Sequence, residues 1–388
     1  MPRPLWLFSL VNLVIGTGAF VLGGILAPLA RDLGVGVPTA GQAMTAYALS
    51  SALLAPMVLL ATGGWPRKRA LLLALALFAA GNLLCALANS LLALLVGRVL
   101  MGMGAVFTPV AAGIAVAMVE PAQRGKALAL VFLGISLSYV VGVPLGAWLG
   151  LQYGWHVPIW VVVALCVLAI AAVALRVPAE MASPGASPTG LGALLARREI
   201  QAALALTLLS FIAIFAVFSY IGPVLQALSP MSGERLSVTL ALFGLSGVAG
   251  TLIGGAANDR FGSRRTLAVQ LSVLGTTMAL LPLAAGSWPA LMAALLTWGT
   301  AGFGMTAPQQ SRLAAMAPAQ APMLLSLNTS MLYLGTAGGA VVGGALASVL
   351  GFARLAWAGV PFVAIGLALL WLTPAAQAGA LVTRQRGA

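Results

Sequence analysis

The sequence predicts an all-α membrane protein of twelve transmembrane helices in two pseudo-symmetric six-helix bundles. Three observations carry that expectation. The 388 residues are 61% hydrophobic and 6% charged, with a mean hydropathy of +1.08, where soluble domains carry about 25% charged residues. So few charges cannot cover a water-facing surface. A soluble enzyme, a nucleic-acid binder and a disordered chain are therefore excluded as whole-chain readings. Second, apolar runs long enough to cross a hydrocarbon core, about 20 residues each, recur twelve times between short breaks. Third, the first six runs and the last six resemble one another.

Taken in order, the first run, 5–30, follows Arg3 and imitates a secretory signal, but it is too long and no A-x-A site follows. It is read as the first helix. The next five are 39–62, 69–88, 90–118, 125–151 and 155–176. Residues 177–198 (VPAEMASPGASPTGLGALLARR) are rich in Pro, Gly, Ala and Ser and end in paired arginines, the composition of a linker. They separate an N-terminal bundle, 1–176, from a C-terminal bundle, 199–374. The spans of the second bundle are 200–227, 234–257, 265–286, 288–314, 322–350 and 352–374, and a tail covers 375–388. Several spans exceed the minimum and would tilt or project.

Orientation follows from counting Lys and Arg. With the N-terminus in the cytoplasm, inside segments hold 15 of the 19 basic residues, Arg31, Arg235 and Arg354 lie outside, and Arg98 falls within a span. The excess of cytoplasmic Lys and Arg in membrane proteins places both termini and the linker inside. The net charge of +13 is then topological and implies no nucleic-acid partner. Cys85 and Cys166 sit in apolar runs without metal-ligand spacing, so they read as packing residues. No metal or cofactor is expected.

The relation between the halves rests on three matches. The loop from Ala61 to Arg69 (ATGGWPRKR) and that from Ala257 to Arg265 (ANDRFGSRR) are offset by 196 residues. The glycines Gly142, Gly146 and Gly150 recur as Gly335, Gly339 and Gly343, offset by 193. Gly102-Met103-Gly104 recurs as Gly302-Phe303-Gly304, offset by 200. Near-equal offsets in one order argue for a duplicated six-helix unit of the kind from which transporters are built.

Arg98 is the most informative single residue. It lies about eight residues, roughly 12 Å, into its span. A charge at that depth must face water or find partners, so it reads as functional. It would hold a substrate acceptor, or brace helices through backbone carbonyls. Its positional counterpart is Trp298. Phe211, Phe215 and Phe218 share one face of the seventh span at i, i+4 and i+7. With Tyr47, Phe107, Tyr139, Trp298, Phe303 and Tyr333 they form a pool of candidate cavity aromatics. Asn12, Gln42, Ser136, Ser138 and Asn328 are candidate hydrogen-bonding groups. The acids Asp32, Glu120, Glu180, Glu199, Glu234 and Asp259 all map to loops or helix ends. With no carboxylate in mid-membrane, Asp32, His156 and Arg98 are the candidates for proton coupling.

The segment from Gly255 through Asp259, Arg260, Gly262, Arg264 and Arg265 (GAANDRFGSRR) matches the G-x-x-x-D-R-x-G-R-R loop of the major facilitator superfamily with one inserted residue. Arg98-V-L-M-Gly102-M-Gly104 is similar to its fourth-helix motif. Gly142-V-Pro144-L-Gly146-A-W-L-Gly150, followed by Gly154-Trp155, resembles the antiporter motif of the twelve-helix drug:proton antiporter branch. The stretch from Pro308-Gln309-Gln310 through Asn328 to Gly343-Gly344 resembles its arabinose-efflux-like permeases. The resemblance implies that Asp259 and its loop act as a conformational latch against the start of span five, near Arg124 and Gly125. The first-half copy departs, with Gly63 in place of Asp and Pro66 in place of the second Gly. It further implies that Gly142, Pro144, Gly146, Gly150, Gly335, Gly339 and Gly343 pack helices between the halves.

Together these readings anticipate an alternating-access transporter in a bacterial inner membrane, a monomer and not an enzyme. It would export a small neutral or weakly anionic amphiphilic solute or drug, with proton exchange as one means of driving it. The alternatives are an importer or facilitator of a neutral nutrient such as a sugar or nucleoside, and a membrane enzyme, for which no acid/base or metal constellation converges.

Overall fold

A computed structural model describes residues 2–120, 123–178 and 195–372. Eleven helices are long and apolar enough to cross a membrane, and a bent pair makes the twelfth. In chain order they are α1 (Pro4–Phe20 with Leu22–Asp32), α2 (Val37–Ala61), α3 (Arg67–Ala86), α4 (Leu91–Ala117), α5 (Lys126–Tyr153) and α6 (His156–Arg176). Then come α7 (Arg198–Phe218), α8 (Gly233–Phe261), α9 (Ser263–Ala284), α10 (Trp288–Met316), α11 (Met323–Leu350) and α12 (Phe352–Leu372). No strand occurs among the described residues. Segments 179–194 and 373–388, which include most of the expected linker and the whole tail, lie outside them.

Helix starts and ends follow local chemistry. Ser90, Ser232 and Ser287 accept backbone N–H bonds at the starts of α4, α8 and α10, as N-caps do. Positive φ is confined to glycines among the described residues, and Gly262 (φ +79) lets the α8–α9 loop reverse within a single residue. The outer surface carries large apolar side chains such as Trp6, Leu92 and Val349, the surface expected where lipid is the solvent.

The duplication read from the sequence reappears as repeated packing. In each half the first helix packs on the fifth, the second on the fourth, and the third on both the fourth and the sixth. The first helix of each half also breaks at a corresponding place. α1 bends by 43° around Val21, and α7 pauses at Ser219–Tyr220 before a short continuation, Ile221–Leu228. Each break lies beside glycine: Gly23 and Gly24 in α1, Gly222 in the continuation of α7.

Alternating helices place Arg67, Arg124, Arg197 and Arg264 at one end of the bundle, called here the basic end. Asp32, Arg235 and Arg354 stand at the other, weakly charged end. The halves meet along α2–α11, α5–α8 and α1–α7. Near the weakly charged end these contacts are close. A methyl built on Gly222 would stand 2.8 Å from the Gly24 carbonyl oxygen. The Tyr220 hydroxyl donates to the Ala340 carbonyl at 2.9 Å and lies 3.4 Å from that of Pro38. Ser237 of α8 donates to the Pro144 carbonyl at 2.7 Å. α5 meets α8 mainly through its second half.

The glycine ladders correct one expectation. Gly142, Gly146 and Gly150 face Thr17, Val21 and Ile25 of α1, while Gly335, Gly339 and Gly343 face α7 between Leu208 and Ala216. Both ladders therefore pack helices within a half. Small residues at every fourth position let two backbones approach closely, and the close pair here is the first and fifth helix of each repeat. Of the predicted set, Pro144 does reach across the interface, through its carbonyl. The glycines that lie between the halves include Gly23, Gly24, Gly41, Gly222, Gly233, Gly244 and Gly344.

Candidate functional site

The middle of the bundle holds an aromatic chamber. Phe211, Phe215 and Phe218 project from one face of α7, and Trp298 and Phe303 from α10. Phe243 of α8, Ile214, Gly302 and Thr306 complete the second-half wall, and Tyr139 of α5 closes it from the first half. The space is about 420 Å³ with its mouth included. Its rings form a connected set. Tyr139 stands edge-on to Phe303 at 5.0 Å and to Phe218 at 5.7 Å, Trp298 lies 5.2 Å from Phe243, and Phe20 of α1 stacks on Tyr139 at 5.1 Å. Offset and edge-to-face pairs at these separations favour a fixed aromatic surface. Tyr139 sits in a π-helical turn, Ser138–Gly142, a distortion often found at functional positions.

A second, smaller recess adjoins the first on the side of the basic end. Its polar lining is Thr207 and Ser210 of α7, Thr306 and Gln309 of α10, and Asn328 of α11. Phe211 and Thr306 belong to both cavities. Neither lining contains a charged side chain.

Arg98 is the main correction among the site candidates. It is 1% exposed and serves as a brace, without lining either cavity. Its guanidinium donates to the carbonyls of Gly18 (2.8 Å) and Ala19 (2.6 Å) in α1 and of Ala43 (3.0 Å) in α2. The Tyr47 ring lies 4.9 Å from it. The α1 acceptors stand just before the bend at Val21, where the helical ladder loses its regular partners, and a planar fork of donors suits such a cluster. Nor is Arg98 the sole buried cation: Arg67 and Arg312 are also buried, toward the basic end.

The remaining candidates divide by helix phase. Phe107 is fully buried against Phe8 inside the first half, so it is not a cavity residue. Tyr47 and Tyr333 meet edge-on at 6.5 Å across the α2–α11 contact. Asp32 accepts a hydrogen bond from the Trp155 indole at 2.8 Å, and the His156 ring packs on Trp155 with centroids 3.7 Å apart. Both lie at the weakly charged end, away from the chamber. In the latch loop, Asp259 is exposed and touches Asn258 at 3.4 Å. Arg264 donates to the Trp371 carbonyl at 2.9 Å, Arg260 lies over Phe261, and Gly255 faces open space. Arg197 pairs with Glu199 at 3.3 Å, and among the described residues Asp259 has Asn258 as its hydrogen-bond partner.

Sequence reasoning missed Phe20, Phe243, Thr207, Thr306 and the part played by Gln309. Thr207 had a usable signal: it follows Asn12, a candidate hydrogen-bonding residue, by 195 residues, one repeat length.

The model of the Major Facilitator Superfamily matches residues 8–315 and 231–387. The chain belongs to this superfamily. It is a multi-pass membrane transporter, not an enzyme. It is 30% identical to the inner membrane transport protein YdhP of Escherichia coli (strain K12), over 95% of this chain and 94% of that one. It is 33% identical to a chloramphenicol resistance protein of Streptomyces lividans, over 88% of each. A probable sugar efflux transporter of Pasteurella multocida is 26% identical over 94% of this chain and 90% of its own length. Among solved structures, a bacterial homologue of the human lysosomal transporter Spinster superposes with a TM-score of 0.82 at 17% identity, covering 96% of this chain and 97% of that one.

Proposed function

We propose that this transporter exports a small neutral or weakly anionic amphiphilic solute or drug across the bacterial inner membrane by alternating access. The observation that carries the reading is the chamber of packed aromatic rings, without a charged side chain in its lining. Such a surface gives an apolar or aryl body a large contact area and offers an ion of either sign no countercharge, only ring faces for a cation. Two relatives with a stated efflux or resistance role align over most of their length, which favours outward transport.

In the same reading both termini and the basic end face the cytoplasm, following the bias of Lys and Arg. The conformation described above is then inward-facing, with the halves joined near the outer end and Asp259 released. Asp259 would dock at the start of α5 when the basic end closes, where orphan N–H groups favour a carboxylate. The protein acts as a monomer. Proton exchange would use Asp32 and His156 at the outer mouth, because no carboxylate lines the chamber.

The test is uptake of radiolabelled chloramphenicol into inside-out vesicles under an imposed pH gradient. Accumulation above equilibrium that collapses with the gradient supports antiport. Uptake that only equilibrates removes proton coupling and leaves facilitated diffusion, and no uptake above empty vesicles removes the exporter reading. The hydroxyl- and amide-lined second cavity favours one alternative, passage of a neutral sugar or nucleoside. Knockout cells distinguish the two: drug hypersensitivity marks the exporter, and a growth defect on a single nutrient marks the importer.

A further inference from the structure

The two halves handle one buried polar triangle differently. In the first half Asn12 of α1 accepts from Thr108 Oγ1 of α4 at 2.7 Å and donates from Nδ2 to the Val131 carbonyl of α5 at 2.9 Å. Both ends of its amide are engaged within the protein. In the second half the same three helices, α7, α10 and α11, supply Thr207, Gln309 and Asn328. Gln309 Nε2 donates to the Ala203 carbonyl at 2.5 Å and to Thr207 Oγ1 at 3.0 Å. Thr207 Oγ1 in turn donates to Asn328 Oδ1 at 2.6 Å.

This chain of donors fixes the orientation of the Gln309 amide. The Ala203 carbonyl can only accept, so the NH2 group must face it and Oε1 must face away. Gln309 is 5% exposed, and its Oε1 is buried with no hydrogen-bond partner in the protein. Leaving such a group unsatisfied costs about 1–3 kcal/mol, and natural structures rarely leave one unexplained. Gln309 lines the second cavity, as do Thr207 and Asn328. Asn328 spends Oδ1 on Thr207, which leaves its NH2 available as a donor. The cavity shares Phe211 and Thr306 with the wall of the aromatic chamber.

We propose that Thr207, Gln309 and Asn328 form a head-group subsite for a neutral hydroxyl-bearing solute. A hydroxyl of the head donates to Gln309 Oε1, a hydroxyl oxygen of the head accepts from Asn328 Nδ2, and the apolar or aryl body lies among the rings of the chamber. This rests on the exporter reading and narrows it. A carboxylate head has no proton to give Oε1, so anionic solutes are excluded from this subsite and neutral ones retained. In the first half the corresponding Asn12 already has both its amide oxygen and its amide nitrogen bonded within the protein.

The experiment compares chloramphenicol with its analogue in which both hydroxyls are replaced by hydrogen. Binding of each to the purified full chain in detergent is measured by equilibrium dialysis. The wild type should favour chloramphenicol, and Gln309→Met should reduce that preference roughly tenfold, the effect of one buried hydrogen bond, while the analogue binds unchanged. Asn328→Leu gives the same readout without altering Gln309 and serves if Gln309→Met fails to fold. A wild type that does not favour chloramphenicol, or a preference unmoved in either folded variant, overturns the subsite. If the preference depends on Gln309 yet inside-out vesicles take up no chloramphenicol, the exporter reading fails and the subsite stands. Uptake with an unmoved preference has the opposite meaning, and binding of neither compound overturns both.

Discussion

The assignment of the α5 glycine ladder to packing against α1 can be tested at Gly146. A methyl added there would overlap Cγ2 of Val21, while the next atoms, Val21 Cβ at 3.5 Å and Pro158 Cβ at 3.6 Å, are at ordinary contact distance. The obstacle is a single methyl group. Val21 is 1% exposed and has nowhere to turn, so Gly146→Ala should cost about 1–3 kcal/mol by overpacking. Val21→Ala removes two buried methyls, worth about 0.8 kcal/mol each in transfer plus a cavity penalty, for a total near 2–3 kcal/mol. In the double variant the new methyl occupies the volume that Cγ2 vacates. The two costs should then fail to add, with a favourable coupling of about 2 kcal/mol, a factor of about 30 in the unfolding equilibrium. Reversible unfolding in mixed micelles, titrated with SDS and followed by tryptophan fluorescence, reads all four corners of the cycle. Additivity within about 0.5 kcal/mol would refute the contact. So would a Gly146→Ala variant of unchanged stability but slowed transport, since that is the behaviour of a ladder sliding between the halves.

Further outcomes follow from other contacts. Arg98→Met leaves the Gly18, Ala19 and Ala43 carbonyls without their donor, at about 1–3 kcal/mol each. Stability in the same micelle assay should fall by several kcal/mol, while the folded fraction binds solute within about twofold of wild type; a selective loss of binding would return Arg98 to the solute site. Gly222→Leu introduces a side chain 2.8 Å from the Gly24 carbonyl oxygen. It should open the weakly charged end, seen as faster labelling of a cysteine placed at Gln42 by a membrane-impermeant thiol reagent, and unchanged labelling counts against that closure. Asp259→Asn should alter stability by less than about 0.5 kcal/mol, as exposed substitutions do, yet slow turnover with solute affinity unchanged. An unchanged turnover number would reduce the loop to a solvated turn.

Helix number and the two-fold repeat were legible because apolar run length and spacing are properties of the chain alone. What each helix faces was not. The ladder Gly142, Gly146, Gly150 announces a close approach, but the approaching backbone could belong to either half, and only the packing of α5 on α1 decides. Arg98 was rightly singled out by depth. Its acceptors, however, are backbone carbonyls at the bend of α1, and no residue type in a sequence marks a carbonyl that has lost its partner. Phe107 and Trp298 are both aromatics inside spans, yet the packing of α4 sets Phe107 against Phe8 and that of α10 sets Trp298 in the chamber wall. The face formed by Phe211, Phe215 and Phe218 was readable because i, i+4 and i+7 share a side whatever the neighbours are. Thr207 and Gln309 were hidden by their ordinariness: each acquires meaning from the other, across two helices 102 residues apart in sequence.

The walls of both cavities come almost entirely from the second half, with Tyr139 the first half's contribution to the lining. Under the proposed alternating access, a bound solute would be a passenger of the C-terminal bundle, and the N-terminal bundle would move over it as a lid. Affinity and timing then have separate addresses in the chain. A chimaera that keeps 199–372 but borrows α1–α6 from a relative should retain this protein's solute and acquire the donor's turnover number, and relatives that diverge in solute should do so first through α7, α10 and α11.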